Sequence, residues 1–317
     1  MNQPLNILML GGAKRVSMGR MLVEAGRRLG CDVKLYSYEL ETHVPISQIA
    51  TIIIGLRWNN NSILEHLHKI VNQYSIDILI PFVDGAVGVV ARYCETYDDV
   101  WAPVGDSNRV EALFDKVVSA DLFNQANLPT PATYVKGRPE FPLIAKPRYG
   151  SASKGIMILN NPRDFRRVMA DGDAYLVQEY MGNCDEYTVD CYIDTFGQPI
   201  CIVPRKRMEV VGGEVSRTMT IRDQEISKLA SEAIHRLYLR GAVTLQFLRD
   251  RATARLVLME INPRLGGGAV CSVHAGADLP TFIIKEALHM SVEPVDDWKP
   301  GTEVCRYQQE VVFYNEQ

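Results

Sequence analysis

Met259-Glu260-Ile261-Asn262-Pro263-Arg264-Leu265-Gly266-Gly267-Gly268 is the stretch on which the reading of this 317-residue chain turns. The period-two rule of an extended strand puts Glu260 and Asn262 on one face and Ile261 on the other. Just upstream, Ala242 to Leu248 and Leu256 to Asn262 flank the polar turn Arg249 to Ala254, the pattern of an antiparallel hairpin. Folding the chain about that turn brings Gln246 opposite Glu260. Glu260, Asn262 and Gln246 then offer the all-oxygen donor set that Mg²⁺ takes when it also binds phosphate. Arg264 follows with a planar fork suited to a transferred phosphoryl group. Three glycines after it suit close approach of a ligand, which a solvated hairpin end would not need.

Outward from this hairpin the chain changes character near residues 106–112. Before it, Leu5 to Leu10 ends at Gly11-Gly12, and apolar residues at 18, 21, 22, 25 and 29 follow at helical spacing. Val33 to Tyr36, Thr51 to Ile54 and Asp77 to Ile80 read as strands, and Ser62 to Tyr74 carries Leu64, Leu67, Ile70 and Val71 on one helical face. Such alternation predicts a parallel sheet covered on both faces. Beyond a helical stretch, Arg109 to Gln125, the segment Leu128-Pro129-Thr130-Pro131 breaks the pattern and hairpins dominate. Strands are expected over 143–146, 155–159, 174–179, 186–193 and 199–203, and helices over 163–169, 223–239 and 280–289. The expected fold is therefore an α/β parallel-sheet domain over residues 1–108, followed by an α+β domain over 109–317 in two parts, 109–181 and 182–317.

Composition narrows the function. With 34 Lys+Arg against 38 Asp+Glu the net charge is −4, which offers no global attraction for nucleic acid or an anionic membrane. No apolar run approaches the ~20 residues of a bilayer span, and a cytoplasmic protein is expected. Seven scattered cysteines without a C-x-x-C spacing read as reduced, buried thiols. His66 and His68 are two apart on a helix and cannot share a face, so no zinc site is indicated.

Four further segments carry charge or glycine where a ligand could sit. Gly11-Gly12-Ala13-Lys14 ends a strand before a helix, where amides can hold an anion, but it lacks the spacing of a dinucleotide fingerprint. Ala145-Lys146-Pro147-Arg148-Tyr149-Gly150-Ser151-Ala152-Ser153-Lys154-Gly155 spaces two glycines as a P-loop does, yet Ile156-Met157 stands where Lys-Ser or Lys-Thr is required. It reads equally as an ordinary hairpin loop or as a phosphate clamp with Lys146, Arg148 and Lys154 as cations. Gln178-Glu179-Tyr180-Met181, followed by Glu186, is either a polar turn or a connector whose backbone meets a purine edge and whose carboxylate reaches a ribose. Arg205-Lys206-Arg207, after a strand, reads as a basic surface patch.

The order of these motifs resembles the ATP-grasp superfamily, most closely its carbamoyl-phosphate-synthase-like branch. The resemblance runs over nearly the whole chain: an α/β pre-ATP-grasp domain, Asp115-Lys116, Ala145-Lys146-Pro147 with its Gly/Ser loop, Gln178 to Met181, Glu186, Gln246, and Glu260-Ile261-Asn262-Pro263-Arg264. It implies that Lys116, Lys146, Arg148 and the loop bearing Gly150, Ser151, Ser153 and Gly155 contact the phosphates of ATP. Gln178, Glu179, Tyr180 and Met181 would meet adenine, Glu186 the ribose, and Arg207 a further phosphate. Gln246, Glu260 and Asn262 would ligate Mg²⁺, for which Mn²⁺ can substitute, with Arg264 and Lys146 acting on the transferred phosphoryl. A small-molecule carboxylate, an amine and a homodimeric state are also implied. Gly266-Gly267-Gly268-Ala269-Val270 departs from the Ser-rich segment of carbamoyl phosphate synthases, and one ATP-grasp module stands where those enzymes have two. A stand-alone carboxylate-amine ligase is therefore expected, with a catalytically silent ATP-binding regulator and a nicotinamide-linked oxidoreductase as its rivals.

Overall fold

The computed structural model describes residues 4–134, 139–150 and 154–314. β1 (Leu5–Leu10), β2 (Val33–Glu39), β3 (Thr51–Ile54) and β4 (Ile78–Pro81) pair in parallel in the order β3-β2-β1-β4. β1 is buried along its whole length because both faces are covered. Ile7 and Met9 enter a core shared with α1 (Val16–Arg28), while Leu8 and Leu10 enter one shared with α2 (Ile63–Tyr74) and α3 (Asp84–Thr96). At the end of β2 the Glu39 carboxylate accepts from Ser37 Oγ at 2.6 Å and from the backbone amides of Gly12 and Ala13. Burial pushes its pKa up, against the pull of those hydrogen bonds. The anion held by the first glycine turn is thus the protein's own, where a nicotinamide cofactor would need its phosphates.

The helical stretch read as Arg109 to Gln125 is two helices, α4 (Ser107–Phe114) and α5 (Lys116–Gln125). Asp115 between them is extended, and its carboxylate caps α5 by accepting from the N–H groups of Val117 and Val118. Since α4 opens at Ser107, a division at 108/109 would cut its first turn.

β5 (Leu143–Pro147), β6 (Met157–Leu159) and β7 (Tyr175–Glu179) form a small antiparallel sheet in the order β6-β5-β7. α6 (Pro162–Ala170) begins with proline at its first position and is capped by Asn161, and Val168 packs it onto Leu143, Ala145, Leu159 and Val177. A larger antiparallel sheet follows: β8 (Cys184–Ile193), β9 (Pro199–Val211), β10 (Glu214–Thr220), β11 (Gly241–Asp250), β12 (Leu256–Asn262) and β13 (Glu303–Cys305), in the order β12-β11-β8-β9-β10-β13. α7 (Gln224–Arg236) covers one face over Val189, Cys191, Val243 and Leu245. The opposite face, with Tyr192, Val203 and Ala242, shares the core of α1 and β1 with α8 (Val270–His274), α9 (Leu279–Ala287) and Trp298. At the entrance to β11, Gly241 has φ +71° and an added Cβ would lie 2.1 Å from the Pro103 carbonyl oxygen, so only glycine lets the two halves meet there.

Two strands, β10 and β13, were absent from the sequence reading, and β9 runs eight residues further than expected. Arg205-Lys206-Arg207 therefore lies inside a strand, and the surface-patch reading is wrong for Arg205. That guanidinium is 1% exposed and pairs with Asp190 on β8 at 2.6 and 3.0 Å. A charge run signals solvent only when no opposite charge waits on the neighbouring strand. All seven cysteines are free thiols, and among the described residues no helix is long and apolar enough to cross a membrane.

Candidate active site

The β11–β12 hairpin sets Gln246 opposite Glu260 and Thr244 opposite Asn262, with a bulge at Met259 that changes the alternation. As a result Leu258 and Ile261, three residues apart, both enter the core. Gln246, Glu260, Asn262 and Arg264 line a cavity of about 450 Å³ whose other wall comes from the small sheet and its connections. Among the described residues the Glu260 carboxylate has no ion-pair or hydrogen-bond partner. One unengaged carboxylate beside two amide side chains on the same wall is a hard-oxygen donor set, and it fits a magnesium ion.

Across the cavity stands Lys146, on β5. Its ammonium is buried and donates to Gln178 Oε1 at 3.0 Å. Burial pushes its pKa down to about 8, opposed by Glu260 and assisted by Lys116. Lys116, the first residue of α5, reaches the cavity and donates to the Gly150 carbonyl at 2.5 Å. Asp115 holds this corner. Burial would raise its pKa, but hydrogen bonds from Arg148 (2.7 Å), Tyr149 (2.9 Å) and the α5 amides keep it below the usual carboxylate range. Gly150 (φ +123°) and Gly155 (φ +73°) bracket the loop in conformations that side chains avoid. Ser151 and Ser153 lie outside the described residues.

Several expected contacts sit differently. Arg148 is spent on Asp115 and does not border the cavity. Gln178 is buried beneath Lys146, and its side chain reaches Pro131 and Thr133. Glu179 commits its carboxylate to Arg255 and to the Ala132 N–H at 2.8 Å, and Glu179, Tyr180 and Met181 border the cavity. Glu186, half exposed at the rim, pairs with Arg207 Nε at 3.0 Å. Arg207 itself is buried enough that desolvation lowers its pKa against that partner.

Arg264 is held by Asp84, at the start of α3, through Nε and Nη2 at 2.6 Å. No local pattern marks Asp84, which lies 180 residues away. A narrower extension of about 110 Å³ continues past Asn262 and is bordered by Arg15, Thr188, Glu214 and the Gly266–Gly268 turn. Arg15 and Glu214 were also missed, since each borders the site only through long-range folding.

A family model described as ATP-grasp in the biosynthetic pathway with Ter operon matches residues 171–310. The N-terminal section of the carbamoyl phosphate synthase large chain from Methanopyrus kandleri is 24% identical over 177 residues, 51% of this chain and 31% of that relative. The chain thus spans no more than about a third of the curated relatives it matches. Among solved structures, the biotin carboxylase domain of Hydrogenobacter thermophilus 2-oxoglutarate carboxylase, in complex with MgADP and bicarbonate, superposes with a TM-score of 0.77. It is 16% identical and covers 95% of this chain and 74% of that one. N5-carboxyaminoimidazole synthetase from Staphylococcus aureus, complexed with ADP, gives 0.73 at 16% identity over 96% and 81%. L-amino acid ligase from Bacillus licheniformis gives 0.69 at 14% over 91% and 75%. Fold, motif order and matched segment agree in their likeness: the chain has the fold of these ATP-grasp structures, and it is similar to the ATP-grasp family model over residues 171–310 and to carbamoyl phosphate synthase large chains over about half its length.

Proposed function

We propose that the chain is a ligase that uses MgATP to activate a small-molecule carboxylate for attack by an amine. The observation that carries this reading is the unengaged Glu260 carboxylate, between Gln246 and Asn262, facing Lys116 and Lys146 across one cavity. Gln246, Glu260 and Asn262 would hold Mg²⁺, which when bound offsets phosphate charge. Lys116, Lys146 and Arg207 would bind the polyphosphate, and the backbone of Glu179 to Met181 would receive the purine, with Glu186 at the ribose. A carboxylate oxygen attacks the γ-phosphorus and the bond to the β-bridging oxygen breaks, giving ADP and an acyl phosphate. The amine then attacks the acyl carbon, loses a proton and expels phosphate. Arg264, fixed by Asp84, is placed to stabilise charge on the moving phosphoryl group. The small sheet would help exclude the water that hydrolyses an acyl phosphate.

Amines and carboxylates are to be screened for ADP release with hydroxylamine present. An acid-dependent hydroxamate, formed with stoichiometric ADP, is the expected result. ATP binding without turnover across the panel would replace the ligase reading by that of a nucleotide-binding regulator.

A further inference from the structure

Beyond Asn262 the cavity narrows into a space of about 110 Å³, room for a group the size of a carboxylate or phosphate. Arg15, Arg207 and Arg264 border it. Glu214 is its one bordering carboxylate among the described residues, and it is divided between Arg15 at 3.3 Å and Arg306 at 2.9 Å. Arg205, also adjacent, is already matched by Asp190. Three polar atoms of residues at this space are shut from water and lack a hydrogen-bond partner: Arg207 Nε, which has only its ion pair with Glu186, Arg15 Nη1, and Thr188 Oγ1 on a threonine that is 3% exposed. A buried donor left without an acceptor destabilises the protein that carries it, so its retention points to a ligand that satisfies it.

The glycine turn belongs to the same arrangement. An added Cβ at Gly267 would lie 2.9 Å from Arg15 Nη1, so glycine there lets the guanidinium lie against the turn. On the ligase reading the reacting carboxylate would lie toward Lys146, which borders the larger cavity and not this space. Arg15 comes from the loop between β1 and α1 and borders this space, but not the larger cavity that Lys116, Lys146 and Glu260 share. Resting on the ligase reading above, we infer that the activated acid carries a second anionic group, a carboxylate or a phosphate, and that Arg15 with Thr188 binds it. Burial and the nearby Arg264 and Arg306 weaken the charged state of Arg15, an effect that a bound anion reverses.

The test pairs mono- and dicarboxylates of three to six carbons with phosphorylated acids such as 3-phosphoglycerate, using the full chain. Binding to the Mg-AMPPNP complex is measured by calorimetry and turnover by hydroxamate formation. Wild type is expected to bind a dianion at least 30-fold more tightly than the monocarboxylate of equal length, and the two dianion sets show whether carboxylate or phosphate is preferred. Arg15→Ala should raise KM for the dianion at least 30-fold, with kcat within threefold and KM for ATP unchanged. Arg15→Lys, which keeps the charge, should recover part of the loss and guards against misfolding of the alanine variant. Arg15-dependent dianion binding without hydroxamate would keep this inference and discard the ligase reading. Hydroxamate from monocarboxylates with no preference for a dianion, an equal Arg15→Ala effect on both classes, or no dianion binding at all, would overturn it.

Discussion

Five buried residues form the core of the small sheet β6-β5-β7, whereas twenty lie beneath the six-stranded sheet. The strands differ likewise, at three to five residues in the first and mostly seven or more in the second. At ~1.5–3 kcal/mol per large buried side chain, the two elements sit at different levels of local stability. Each holds one side of the same cavity: Lys146 on the small sheet and Glu260 with Asn262 on the large one. On the proposed function this would divide the labour: the metal donors would lie on the sheet with the larger core and the phosphate-binding Lys146 on the sheet with the smaller one, the one expected to open more readily for nucleotide exchange.

The largest expected effect tests the rigid side. Glu260→Ala should lower kcat for ADP release by about 10³-fold or more, equivalent to ~4 kcal/mol of transition-state stabilisation, with the melting midpoint shifted by no more than about 2 °C. Lys146→Ala should cost less in kcat and more in KM for ATP. Equal kinetic signatures from the two would erase the distinction between the sheets. Next come core truncations, each costing roughly 2–4 kcal/mol. Leu143→Ala should speed hydrogen exchange only in β5, β6 and β7, while Leu258→Ala should lower the global unfolding midpoint. Global destabilisation by Leu143→Ala would show that the small sheet does not open on its own.

The smallest effect is a pH dependence. Because Lys146 is held near 8 rather than at its ordinary 10.5, kcat/KM for ATP should fall about tenfold per pH unit above 8 as the cation is lost. Between about 8 and 10.5 the unfolded chain holds a proton that the folded one has released, so this group makes the nucleotide-free protein more stable as pH rises. Lys146→Met should remove that stability slope in denaturant titrations, and a slope unchanged in the variant would assign it elsewhere.

The β11–β12 hairpin was legible because strand alternation and a short polar turn are local properties, and Gln246 does pair with Glu260. The parallel sheet was legible from its continuous apolar strands. What escaped was non-local. Asp84 meets Arg264, and Arg15 meets Glu214, across 180 and 199 residues. Arg205 looked solvated because its partner Asp190 lies on another strand. Gln178 seemed free to meet a ligand, yet burial beneath Lys146 claims its side chain, a property of packing rather than of the motif.

The contact of α1 and β1 with the face of the six-stranded sheet bears on how this architecture can vary. Leu22 and Ile7 share one core with Tyr192, Phe282 and Trp298, and Arg28 is paired with Asp278. Any recombination that imports a foreign N-terminal segment, in evolution or in the cloning of chimaeras, must therefore bring a matching α9 and Trp298 region with it. Substrate specificity contributed by that segment is inherited together with the C-terminal helix that anchors it.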